Sequence, residues 1–116
     1  MDKERLKAAG IDADGALERL MGSEALMARL FRKFLEDGNF AALLESVNAG
    51  EKEEALKASH TLKGMCGNLS MDRLYRLFTA QVDLMRSEDW DGAAAMMPQI
   101  SAAYEEAVSA IRDCFG

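Results

Sequence analysis

The amino-acid sequence reads as an all-α protein, an antiparallel up-down four-helix bundle preceded by a short N-terminal helical segment. Three observations carry that reading. Apolar residues recur at spacings of three and four through nearly the whole chain, and no alternating strand pattern stands out. The interruptions are short stretches of Gly, Asn, Asp and Ser, and connections that short make consecutive helices antiparallel neighbours. A single proline in 116 residues leaves the helical pattern otherwise free of breakers.

Each element has its own signal. Lys3 to Ala9 forms the N-terminal segment and ends at Gly10. Asp12 or Asp14 caps a brief helix to about Met21, which Gly22 stops. Ser23 opens a long amphipathic run carrying Leu26, Met27, Leu30, Phe31, Phe34 and Leu35. Gly38-Asn39 kinks or breaks that run before Phe40, Leu43, Leu44 and Val47, and Asn48-Ala49-Gly50 turns the chain. Glu51 to Asn68 is a helix with acidic residues in its first turn, as the dipole prefers, and a buried stripe of Ala55, Ala58, Leu62, Met65 and Leu69. Ser70 is the expected N-cap of a helix from Met71 to Arg86. Asp89 is expected to cap a last helix from Trp90 towards Phe115, bent by Pro98 inside it.

Composition narrows the function classes. A chain of this length is expected to be one domain over residues 1–116, with a core that needs no staples. No apolar run approaches the roughly 20 residues of a membrane span, and Met1-Asp2-Lys3-Glu4-Arg5 does not read as a signal peptide, so a cytoplasmic protein is expected. Cys66 and Cys114 have no framework spacing and read as reduced thiols. One histidine and no Cys-x-x-Cys leave no zinc signature, and no cofactor or metal is expected. A net charge of −6 argues against nucleic acid as a partner. The charge is unevenly spread: Lys57, Lys63, Arg73, Arg76 and Arg86 against Asp72 and Asp83 leave the 57–86 stretch at +3 and the remainder at −9. A partner with an acidic site would be drawn to that stretch.

The lone histidine, His60, lies inside it. At about 100° per residue, His60, Lys63, Gly64 and Gly67 share a stripe about 100° wide, opposite the buried residues of the same helix. Each interior glycine costs about 1 kcal/mol against alanine, so helix formation alone does not explain the stripe. Close approach of another backbone to an exposed imidazole and an ammonium does.

The run Ala58-Ser59-His60-Thr61-Leu62-Lys63-Gly64-Met65-Cys66-Gly67-Asn68-Leu69 resembles the signature of histidine-containing phosphotransfer (HPt) domains. The likeness extends over about 100 residues, taking in Gly10-Ile11-Asp12, Leu17-Glu18-Arg19, Phe34-Leu35-Glu36-Asp37 and the helix after Asp89. Met65 and Cys66 replace the usual smaller residues, and Gly38-Asn39 interrupts what is commonly one longer helix. The resemblance implies a four-helix bundle whose histidine carries a phosphoryl group between receiver-domain aspartates. It implies as partners a receiver domain and a hybrid histidine kinase, with any magnesium ion held by the receiver.

The residue chemistry is compatible with that role. A neutral imidazole carries a lone pair on one ring nitrogen, which is free to attack phosphorus. Lys63, one turn on, would neutralise phosphoryl oxygens, and Gly64 and Gly67 would clear the approach. Lys57, Arg73 and Arg76 would supply steering charge, and Leu56 is either part of a docking patch or an edge-of-core leucine. Gln81 interrupts the apolar stripe Met71, Leu74, Phe78 and Met85 and needs a partner. Many HPt domains place a polar residue about 22 positions after the histidine, bonded to the imidazole. Gln81 stands 21 after, and orients His60 or else bonds water or backbone at the rim.

Other classes fit less well. A degenerate HPt-like adaptor would bind a receiver or kinase without transfer, yet both His60 and Lys63 are kept. The phosphoacceptor part of a histidine kinase would bring a nucleotide-binding region, which is not seen, and a hydrolase would need a nucleophile and an orienting acid around His60. The expectation is therefore a monomeric carrier, not an enzyme in itself.

Overall fold

Side-chain caps fix where four of the helices begin. Asp2, Asp12, Ser23 and Asp89 each accept a hydrogen bond from the amide three residues on. The structure, a computed structural model describing residues 1–116, contains α1 (Lys3–Ala8), α2 (Ala13–Arg19), α3 (Glu24–Glu36), α4 (Asn39–Ala49), α5 (Lys52–Asn68), α6 (Asp72–Arg86), α7 (Trp90–Ala95) and α8 (Met97–Phe115). No helix is long and apolar enough to cross a membrane.

The elements assemble into four columns. The pairs α4–α5, α5–α6, α6–α8 and α8–α3 pack side by side, which closes a ring with α3 and α4 as one broken column. Glu24 to Ala49 at a helical rise spans about 39 Å, and the molecule is 40 Å long. The all-α bundle read from the sequence is thus the fold observed.

At one point the structure decides between two readings, the kink or break at Gly38-Asn39, and at two others it corrects the reading. Gly38 breaks the α3–α4 column outright: Asp37 is extended and its carboxylate accepts from the Asn39 amide at 2.9 Å, restarting the helix. Pro98 does not bend a continuous helix. The chain stops at Ala95 and restarts at Met97, which places Pro98 in the first turn of α8, where its missing N–H is harmless. Ser70 does not cap α6. It takes the left-handed position after α5, with φ 53°, and the Met71 amide reaches back to the Cys66 carbonyl at 2.9 Å. An N-cap needs extended backbone, so the end of α5 prevails over the start of α6, which Met71 begins without a side-chain cap.

Apolar packing holds the columns together. Phe31, Phe34, Leu62, Phe78 and Ile100 are buried at the centre. Phe40 stacks on Tyr104 with ring centres 3.9 Å apart, and Phe31 on Phe115 at 5.2 Å, which seals the α3–α4 column against α8. Helices α1 and α2 close one end. Leu6 and Ile11 are buried, the Asp12 amide donates to the Ser70 carbonyl at 2.9 Å, and Arg19 Nε donates to Ser70 Oγ at 3.2 Å.

Candidate functional site

Helix α5 runs unbroken between α4 and α6, and its periodicity decides which side chains reach water. Ala55, Ala58, Leu62 and Leu69 are buried and Met65 half-buried, so the opposite stripe is outward. His60 lies on that stripe, exposed, and its imidazole makes no hydrogen bond or ion pair within the chain. Both ring nitrogens are left to solvent or a partner.

Its neighbours on α5 divide by surroundings. A β-carbon at Gly64 would meet nothing within 4 Å, so the surface one turn beyond His60 is open. Gly67 is different: a β-carbon there would lie 3.0 Å from Cδ1 and Cε1 of Tyr75. The clearance expected of both glycines belongs to Gly64, while Gly67 admits a ring from α6. Lys63 is half-buried and Lys57 exposed, and neither is paired with a carboxylate. Residues three apart on a helix have β-carbons about 5–6 Å apart, which puts both ammonium stems beside His60. The Thr61 hydroxyl is turned away, donating to the Lys57 carbonyl at 2.9 Å.

Leu56 is half-buried and borders a groove with Lys52, Glu53, Met85, Glu88 and Trp90. The Lys52 ammonium lies 5.9 Å over the Trp90 ring. Leu56 therefore sits at the seam of α5 with α6 and α7, at the margin of the histidine face.

Arg73 and Arg76 are not brought to His60. Arg73 pairs with Glu106 at 2.7 Å and donates to the Ala8 carbonyl at 3.1 Å, and Arg76 lines grooves beside it on the α1 and α8 side. The basic stretch of sequence is split by α6. At about 100° per residue Arg73 and Tyr75 fall on opposite margins of that helix, and only the Tyr75 margin faces the histidine helix.

Gln81 is fully buried and makes no hydrogen bond to the imidazole. Its Oε1 accepts from Ser59 Oγ at 2.8 Å, and its Nε2 donates to the Ala93 carbonyl at 3.1 Å and to Met97 Sδ at 3.2 Å. The amide is satisfied one residue short of the histidine, inside the core. Ser59 and Tyr75 were not singled out from the sequence. Ser59 was visible as a polar residue beside buried Ala55, Ala58 and Leu62, and Tyr75 as an aromatic level with Gly67 across an antiparallel turn.

Burial pushes the Cys66 thiol up to about 12, and Cys114 is the other free thiol. No three His, Cys, Asp or Glu side chains are grouped to hold a metal ion. The face offers a nucleophilic ring, two unpaired ammonium groups and an open backbone, a set suited to an incoming anionic group.

Comparison with curated proteins and with solved structures returns no match. A family model described as the Hpt domain matches residues 26–113, from α3 through nearly all of α8. The match leaves out Gly10-Ile11-Asp12 and Leu17-Glu18-Arg19, which the sequence resemblance had taken in. With helices, exposed histidine and family model in agreement over most of its length, the chain belongs to the Hpt domain family, whose members are phosphotransfer carriers in two-component signalling.

Proposed function

We propose that His60 is the phosphoacceptor of a phosphorelay: it takes a phosphoryl group from a receiver-domain aspartate, or from a hybrid histidine kinase, and passes it to another receiver. The observation that supports this most is the exposed His60 imidazole, free of internal hydrogen bonds, beside the unpaired Lys63 and the open backbone of Gly64. In the accepting step a ring nitrogen bonds to phosphorus while the acyl phosphate P–O bond breaks and the aspartate leaves as carboxylate. The neutral imidazole keeps its other N–H, so no proton has to be moved. Catalysis is then positioning and charge neutralisation, supplied here by Lys63, with Lys57 and Leu56 at the edges of the docking face.

Acting this way, the chain is a monomeric cytoplasmic carrier that needs neither a nucleotide site nor a metal of its own. The test is incubation with a phosphorylated receiver domain. Acid-labile label should appear on the wild-type chain and be absent from a folded His60→Gln variant. Label retained by that variant would overturn the assignment. Tight binding without any transfer to wild type would leave the adaptor reading in its place.

A further inference from the structure

Among the buried polar side chains, Ser46 bonds the Ala42 carbonyl within its own helix and Ser70 serves a turn. Ser59 and Gln81 are different, because their bond crosses from α5 to α6 in the middle of an apolar core. Gln81 carries the connection further, to Ala93 in α7 and Met97 at the start of α8. The chain break between those two helices makes this geometry available. With α7 ending at Ala95, the Ala93 carbonyl is one of the acceptors a helix end leaves without a full intrahelical partner. Pro98, with no amide hydrogen, helps set that break.

We propose that Ser59–Gln81 is an azimuthal latch, fixing the rotation of α5 about its axis and hence the direction in which His60 presents its imidazole to a protein partner. The proposal rests on His60 being the phosphoacceptor. Gln81 and Ser59 are positioning residues, since neither touches the ring. A core filled only by apolar volume specifies one arrangement less uniquely than a directional bond does, and a 2.8 Å O–H···O bond tolerates little displacement. Ser59 is adjacent to His60 in the chain, so a rotation at one is the same rotation at the other. With side chains reaching about 6 Å from a helix axis, a turn of about 15° would carry the imidazole about 1.5 Å. A misplacement of that size is expected to slow transfer between two docked proteins strongly, by about tenfold or more. It would not slow attack on a small phosphodonor, which approaches an exposed ring from any direction.

That difference is the test. The double variant Ser59→Ala with Gln81→Leu removes both partners together and leaves the Ala93 carbonyl still bonded by the Met96 amide. Its labelling by phosphoramidate should stay within about twofold of wild type, while transfer from a phosphorylated receiver that charges the wild-type chain should fall about tenfold or more. If the double variant does not fold, Ser59→Ala alone, which deletes one oxygen, should show the same split, and Ser59→Thr, which keeps the hydroxyl, should restore receiver transfer. Unchanged transfer from both donors would reduce the bond to core stability, and a parallel loss with both would place the defect in the imidazole itself. Failure of wild type to take label from either donor would instead refute the phosphoacceptor assignment.

Discussion

The ring of Tyr75 covers Gly67, with two of its carbons 3.0 Å from the place a β-carbon would occupy. Gly64, on the same stripe, meets nothing. Two glycines that look equivalent in sequence therefore answer differently to substitution. Gly64→Ala should stabilise the fold by up to about 1 kcal/mol, because helix propensity is the only thing that changes. Gly67→Ala should gain less or lose stability, since the half-exposed Tyr75 ring has to shift outward. Urea denaturation of the two variants checks the ordering. Gly64→Gln should keep the fold and slow transfer with a receiver, and normal transfer would dismiss the idea that open backbone matters there.

Lys63→Ala should slow phosphotransfer while leaving stability nearly unchanged. Its ammonium is unpaired in the resting chain, so removing it breaks no ion pair. A charge beside the migrating phosphoryl group acts on the transition state instead. Single-turnover transfer and thermal unfolding, measured on the same preparation, separate the two effects. Equal rates for variant and wild type would make Lys63 a solvated surface cation.

Salt dependence should trace to Lys57 and Lys63 and not to the arginines. Reversing both lysines to Glu should lower the association rate with a receiver, and added salt, which shortens the screening length to about 8 Å near physiological strength, should do the same to wild type. Arg73→Ala removes a partly exposed pair with Glu106 and a bond to the Ala8 carbonyl. It should cost about 0–1 kcal/mol for the pair and leave transfer intact. A large loss of association on changing Arg73 and Arg76 would move the docking surface to the α1–α8 side.

Cys66 sets a pH signature. Burial raises its thiol from an ordinary 9.0 to about 12, so above the lower value the unfolded chain ionises while the folded one holds its proton. Stability should therefore be unaffected by this group below about pH 9 and decline as pH rises from there towards about 12. Tyr104, also raised by burial, acts in the same direction. Denaturation curves between pH 8 and 11 should show the decline, and Cys66→Ala should reduce it. Near pH 8 an alkylating reagent should modify Cys114 before Cys66, which becomes reactive on unfolding.

The helices and the outward direction of His60 were legible because both depend on local periodicity. Asp12, Ser23 and Asp89 act as the caps their residue types suggest. Ser70 was misread because serine suits a helix start, while the preceding helix end required a left-handed residue at the same place. The partner of Gln81 was legible only in part: the periodicity that turns His60 outward turns Ser59, about 100° away, into the core, whereas which residue of α6 lies level with it depends on how α5 and α6 pack. Arg73 and Arg76 were grouped with His60 by counting charge along the chain. Projecting α6 as a helix would have put Arg73 on the margin opposite Tyr75.

The closed end of the bundle bears on how the domain could be excised. The family match begins at residue 26, yet Leu6 and Ile11 are 0% and 2% exposed, and Ser70 receives both an amide and a guanidinium from the first 19 residues. Cutting at the match boundary would strip two apolar side chains worth about 1.5–3 kcal/mol each from a fold whose total margin is about 5–15 kcal/mol. It would also leave a strained serine at the α5–α6 turn without the contacts that hold it. The edge of family likeness and the edge of the cooperative folding unit are therefore different places in this chain, and a fragment drawn at the first would be the more readily proteolysed.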